Sequence, residues 1–157
     1  MRSGVRVGVD VGKARIGVSR SDPDGMLALP VETVARSRDG SDIARIQELV
    51  TEYGAAEVIV GLPLSLSGAH TPSTDDATGF AFRLAEVCGL PVRLVDERLS
   101  TVSAQSALRA SGRTSRNSRS VVDQAAATVI LQHALDAERA SGRPPGELAD
   151  PSIGPTS

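Results

Sequence analysis

The run Ala56 to Pro63, AEVIVGLP, limits the possible folds more than any other stretch of the chain. It is short and almost continuously apolar, without the alternation of a strand that has one wet face, so both of its faces need cover. Parallel strands obtain that cover from helices that carry the chain back between them. The flanking sequence has this form. Ile43, Ile46, Leu49 and Val50 repeat at helical spacing, with Asp39, Ser41 or Asp42 available to cap the start. From Pro72 to about Cys88, Ala77, Phe80, Ala81, Leu84 and Val87 fall on one helical side, and a further apolar stretch, Pro91 to Val95, follows.

The first third has a different rhythm. Val5 to Val11 and Arg15 to Ser21 are β-branched runs separated by Gly12-Lys13-Ala14, a connection suited to a hairpin. After the turn signal Asp22-Pro23-Asp24-Gly25, Met26 to Val34 predicts a third strand, with Pro30 pointing to an edge or a bend. Beyond the fifth strand the pattern predicts a helix from about Ser100 to Ala110, a loop over Ser111 to Ser118, and an Ala-rich helix from Val121 to about Arg139. The expectation is an α/β protein: one mixed five-stranded sheet, strands 1–3 antiparallel and strands 4 and 5 parallel to strand 1, flanked by helices. Its expected organisation is a short tail over 1–4, one domain over 5–140, and a disordered tail over 141–157. That last stretch holds four prolines and three glycines and little apolar bulk.

Composition narrows the function. The 157 residues suit one domain, and the formal charge of −2 gives no global sign of nucleic-acid binding, so any such surface must be local. Aromatics make up only 2%, which leaves little for base stacking; Phe80 and Phe82 read as core. No apolar run approaches membrane-spanning length, and the single Cys88 suits a reducing compartment, so a cytoplasmic protein without a membrane partner is expected.

In an α/β sheet, ligands meet the carboxyl ends of the parallel strands. Three acids fall there or beside it. Asp10 interrupts a run of valines, where an unpaired carboxylate costs several kcal/mol in effective desolvation, unless it only opens the hairpin turn. Asp96 and Glu97 end the fifth strand; Glu97 lies further past it and is the preferred candidate, with Asp96 the alternative and a loop or cap role open for both. Asp123 is the only acid between Glu97 and Asp136, although Ser120-Val-Val-Asp123 also resembles a capping box. Converging carboxylates repel unless a cation lies among them. With oxygen donors and no Cys or His set, that cation is Mg²⁺ or Mn²⁺, and a pair of ions roughly 4 Å apart suits phosphodiester hydrolysis. His70 and His133 are single and far apart and read as surface residues. Positive charge is concentrated between Arg98 and Ser120, where Arg98, Arg109, Arg113, Arg116 and Arg119 occur without one Asp or Glu. That stretch is expected to contact phosphates.

The motifs D10-V-G-K-A-R-I-G-V18, G61-L-P-L64 with Gly68, D96-E-R-L-S-T101 and D123-Q-A-A-A-T-V-I-L-Q132 resemble, in order and spacing, the YqgF/RuvX family over about Val5 to Leu135. Its members are described as Holliday-junction resolvases and as pre-16S rRNA nucleases. The resemblance implies a ribonuclease-H-like fold with Asp10, Glu97 and Asp123 as catalytic and metal-binding acids. It implies that Arg15, Arg98 and the Gly61-Leu62-Pro63 turn shape the site or contact phosphate, with Lys13 also expected at nucleic acid. Gly12 is expected to shape the site, and Ser100 or Thr101 to start the next helix. The chain departs from the family pattern at Ala14-Arg15, with Lys13 one place early, at Asp75-Asp76, and at Thr71 in place of a glycine. The three acids are intact.

The implied activity is a metal-dependent endonuclease acting on structured RNA, in maturation of pre-16S rRNA, or on branched DNA. A two-fold symmetric junction needs two sites, hence a homodimer, whereas a monomer suffices for an rRNA precursor. Two other readings compete. Asp10-x-Gly followed by a hairpin also resembles the first phosphate turn of actin-like ATPases and sugar kinases, but a second such turn and an adenosine-binding glycine pair are missing. A non-catalytic ribosome-assembly factor would bind RNA whether or not Asp10 or a metal were present.

Overall fold

The computed structural model describes residues 3–97 and 115–149, the latter with side chains from residue 122 onward. Its strands are β1 (Arg6–Val11), β2 (Arg15–Ser21), β3 (Ala28–Ala35), β4 (Glu57–Leu62), β5 (Val92–Asp96) and β6 (Glu147–Leu148). Helices α1 (Ser41–Glu52) and α2 (Pro72–Cys88) lie between β3 and β4 and between β4 and β5, and α3 (Ser115–Ser141) precedes β6. The sheet order is β3-β2-β1-β4-β5-β6. β1 runs antiparallel to β2 and parallel to β4, which runs parallel to β5, as the crossovers require.

Four expectations are corrected. The sheet has six described strands, because Leu148 and Glu147 pair antiparallel with Arg93 and Leu94 of β5. Residues up to Ala149 are therefore no free tail: Ala149 is buried and its N–H donates to Val92 O at 2.7 Å. Helix α3 begins at Ser115, not Val121, so Ser115 to Ser118 are helical and Asp123 lies well inside the helix, away from any capping position. The cap of α1 is Gly40, in a left-handed conformation without a side-chain bond; Ser37 and Asp42 bracket the turn reciprocally. Pro30 falls on edge strand β3, opposite a bulge at Val18/Ser19, as its missing N–H demands. The helix expected over Ser100–Ala110 lies outside the described residues.

Alternation along the strands divides the core. Val7, Val9, Ile16, Val18, Val58 and Val60 face α1 and α2, which cover them with Ile46, Leu49, Phe80 and Leu84. On the other face, Ile59 and Val95 pack with Ile130, Leu131, Ala134 and Leu135 of α3. Here α3 lies unusually close to the sheet. A Cβ at Gly8 would stand 2.9 Å from the Leu131 Cβ, and one at Gly17 would run into the Asp123 carbonyl. Ser19 Oγ donates to Ala127 O at 2.8 Å from the same strand face. Glycines on two neighbouring strands thus let a helix with a small-residue face press onto the sheet.

Candidate active site

The register delivers the acids. Asp10 pairs with Gly17, and by strand parity it shares the α3 face with Gly8. Val95 packs in the α3 cluster, so Glu97 returns to that same face, whereas Asp96 points the other way and is exposed. Parity therefore separates the two candidates: the structure brings Glu97, and not Asp96, beside Asp10. Asp123 reaches the cluster from α3. Its Oδ2 accepts from Arg15 Nε at 2.8 Å, the arginine standing at the start of β2, directly after the hairpin tip.

Glu97 is the unusual member. Its N–H extends the ladder to Leu62 O at 3.3 Å, which holds the backbone at the end of β4. Its Oε2 is buried, yet it has no hydrogen-bond partner. That oxygen occupies space that a Cβ on Gly61 would fill; the same Cβ would lie 2.7 Å from Ile130 Cδ1. Gly61 is therefore a cradle for the carboxylate, and no other residue type leaves the same room.

Burial and crowding raise both acids. Desolvation lifts Asp10 to about 6, opposed by its hydrogen bond to Glu97 and assisted by the charge of Asp123. Glu97 is pushed up to about 8 by desolvation first, then by the charge and hydrogen bond of Asp10 and the charge of Asp96. The two carboxyls titrate as a pair that keeps one proton between them near neutrality.

These residues fit a hard divalent cation. All donors are carboxylate oxygens, one of them is buried without a partner, and the pair holds a proton that a cation would replace. The convergence is incomplete: among the described residues no three His, Cys, Asp or Glu are grouped to hold an ion together. Asp123 is turned toward Arg15, although it lies near enough to raise Asp10.

Other expected positions divide by location. Gly12 closes the hairpin, its N–H donating to Arg15 O at 2.9 Å, and Lys13 is exposed at the tip. Pro63 O accepts from Thr74 Oγ1, which ties the Gly61-Leu62-Pro63 turn to α2. Arg98, Ser100, Thr101, Arg109 and Arg113 lie outside the described residues; Arg116 and Arg119 fall in the first turns of α3, without described side chains. His70 and His133 are exposed, Phe80 is buried, and Phe82 packs against the core. The departure at Thr71 has a plain cause: Thr71 caps α2 in extended conformation, forming a capping box with Thr74, and needs no glycine. Sequence reasoning missed Arg36. Its guanidinium donates to Gly12 O at 2.9 Å and to both Asp76 oxygens at 2.8 and 3.0 Å, lies 3.6 Å from Asp42, and stacks over Phe80. The spacing of these partners gave no signal for it.

A family model described as RuvX, Holliday junction resolvase, matches residues 4–137. The chain belongs to the RuvX family. A protein of Leifsonia xyli is 67% identical over 155 residues, covering 99% of this chain and all of that one; its name is "Putative pre-16S rRNA nuclease". Proteins of Clavibacter michiganensis (65% identical; 94% of this chain, 92% of that one) and Streptomyces coelicolor (55%; 94% and 89%) carry the same name. Among solved structures, T. thermophilus RuvC in complex with a Holliday junction substrate superposes with a TM-score of 0.57 at 19% identity, covering 92% of this chain and 99% of that one. That likeness shows the fold, a ribonuclease-H-like α/β sheet. The RuvX family is one of nucleases, enzymes that hydrolyse phosphodiester bonds. Among the described residues no helix is long and apolar enough to cross a membrane.

Proposed function

We propose that Asp10, Glu97 and Asp123 hold Mg²⁺ or Mn²⁺, two ions in the working site, and that the chain is a cytoplasmic endonuclease acting on structured RNA in pre-16S rRNA maturation. The observation that carries the reading is the buried, unpartnered Glu97 Oε2 lodged against Gly61 beside Asp10. An oxygen left without a donor in a folded interior is unfavourable unless a ligand completes it. When bound, such ions activate a water and stabilise the leaving oxygen.

The chain's own residues set the conditions. Asp10 and Glu97 surrender their shared proton on loading, so loading is favoured as pH rises through about 6 to 8. Arg15 holds Asp123 in reserve and, once released, is placed to meet substrate phosphate. Burial on the α3 face keeps bulk water from Glu97, which strengthens every charge interaction there.

The test is Asp10→Asn. It is expected to leave the fold intact while abolishing Mg²⁺-dependent cleavage of a pre-16S rRNA fragment. A variant that cuts as fast as the parent refutes the assignment. A second substrate has support from the family's description and from the fold shared with RuvC: a four-way DNA junction, cut by a homodimer. Cleavage of both substrates side by side, with the oligomeric state measured, separates the two.

A further inference from the structure

The β1–β2 hairpin, whose first strand carries Asp10, also forms with its tip one wall of a second cleft, which no part of the carboxylate cluster uses. It measures about 440 Å³ and is lined by Lys13, Arg36, Ser37, Arg38 and Asp76. Three of these are cationic and one is acidic. Arg36 forms the fixed part: two bonds to Asp76, one to Gly12 O and a nearby Asp42 hold its guanidinium, so the acid in the cleft wall is paired from within. The same contacts raise its already high pKa, the Asp76 hydrogen bonds first. Lys13 and Arg38 form the exposed part. Among the described residues neither has a carboxylate partner, so their charges are available to a ligand.

The cleft is one turn from the chemistry. Lys13 follows Asp10 by three residues, at most ~10 Å of extended chain. A duplex rises ~3.4 Å per nucleotide along its axis, and the path between successive phosphates of one strand is about twice that, so the distance corresponds to one or two nucleotides. With its aromatic ring under Arg36 and not open to a base, the cleft suits backbone phosphates and offers no base readout.

We propose that this cleft is a backbone-phosphate site that holds the substrate strand one or two nucleotides from the cut, with Lys13 and Arg38 as its contacts and Arg36 as its anchored floor. The proposal rests on the nuclease reading and adds a part of the substrate path distinct from the arginines after Glu97. Because the contacts are to phosphate, they act on RNA and DNA alike and without regard to sequence.

The experiment measures binding without cleavage, in EDTA, by fluorescence anisotropy. The probes are a synthetic RNA stem-loop with single-stranded flanks and a four-way DNA junction. Proteins compared are the parent, Lys13→Ala/Arg38→Ala, Arg38→Glu, and a control, Arg143→Ala, at an exposed arginine beyond α3. Each phosphate contact contributes roughly 0.7–0.9 to the slope of log affinity against log salt, so the double variant is expected to lose about 1.4–1.8 of slope on both probes. Arg38→Glu is expected to weaken binding further at equal salt, and Arg143→Ala to leave the slope unchanged. An unchanged slope in the double variant, or an equal loss in the Arg143 control, overturns the proposal. If Asp10→Asn still abolishes cleavage in that case, the nuclease reading stands. A parent protein that binds neither probe overturns both.

Discussion

Replacing Glu97 by Gln tests the physical state of the site without any substrate. Gln keeps the shape, removes the charge and adds an N–H₂ group that can donate to Asp10. The folded chain raises the Glu97 pKa from 4.5 to about 8, so it binds that proton more tightly than the unfolded chain does. Below about pH 4.5 both states are protonated and the parent has its full stability. As pH rises toward 8 the unfolded state ionises first, and stability falls until the folded pKa is passed. At ~1.4 kcal/mol per pH unit, the shift corresponds to at most about 5 kcal/mol. Asp10 and Glu97 share that shift as a coupled pair, so about 2–4 kcal/mol is expected for Glu97 alone. Urea unfolding in EDTA at pH 4.5 and pH 9 measures it. The Gln variant should match the parent within about 1 kcal/mol at pH 4.5 and exceed it by about 2–4 kcal/mol at pH 9. Adding Mg²⁺ at pH 9 should then stabilise the parent by about 2.7 kcal/mol at a hundredfold excess over its dissociation constant, and the variant much less. A variant no more stable than its parent at pH 9 would mean that Glu97 is ordinarily solvated, and the case for a buried cation-seeking oxygen would fail.

Two further substitutions probe the walls of the site. Gly61→Ala puts a Cβ against Glu97 Oε2 and Ile130 Cδ1, both ends of movable side chains, so stability should fall by only about 1–2 kcal/mol. Mg²⁺ affinity and cleavage should nevertheless drop about 10–100-fold, as when a ligand loses its support, and a Mg²⁺ titration of cleavage beside a thermal melt separates the effects. Gly17→Ala is different in kind, because its Cβ meets the backbone carbonyl of Asp123, which cannot rotate away. A loss of about 3 kcal/mol or more is expected by denaturant unfolding; a cost below about 1 kcal/mol would show that α3 lies less close to β2 than described.

Much of the fold was legible because it follows from periodicity. The apolar run of β4 required cover on both faces, and the helices on either side of it supplied the crossovers that make β1, β4 and β5 parallel. What was missed depends on partners distant in sequence. Glu147 and Leu148 carry no strand pattern; they become a strand because β5 presents an open edge to them. Ser115 to Ser120 are polar and basic, without an apolar stripe, so nothing in them marks a helix start. Arg36 sits among polar loop residues, and its role depends on Asp76, forty residues away in the chain.

The site was legible as a set of acids but not as a geometry. Asp10, Glu97 and Asp123 stood out because each interrupts or ends an apolar pattern, yet choosing Glu97 over Asp96 needed the parity of β5, which is fixed by Val95 packing against α3. The glycines supply what the acids alone do not. Three carboxylates would relieve their repulsion by moving apart, and a helix is free to retreat from a sheet if side chains stand between them. Here Gly8 and Gly17 remove those side chains, Ser19 bonds to Ala127, and Ile130 with Leu131 anchors the helix to the sheet. With α3 held at contact distance, Asp123 stays near enough to raise Asp10, its own charge is met by Arg15, and the Asp10–Glu97 pair keeps a proton. Folding thus uses apolar packing to hold two buried acids and a third, ion-paired one at the end of the strands, where an arriving cation would displace their shared proton and Arg15.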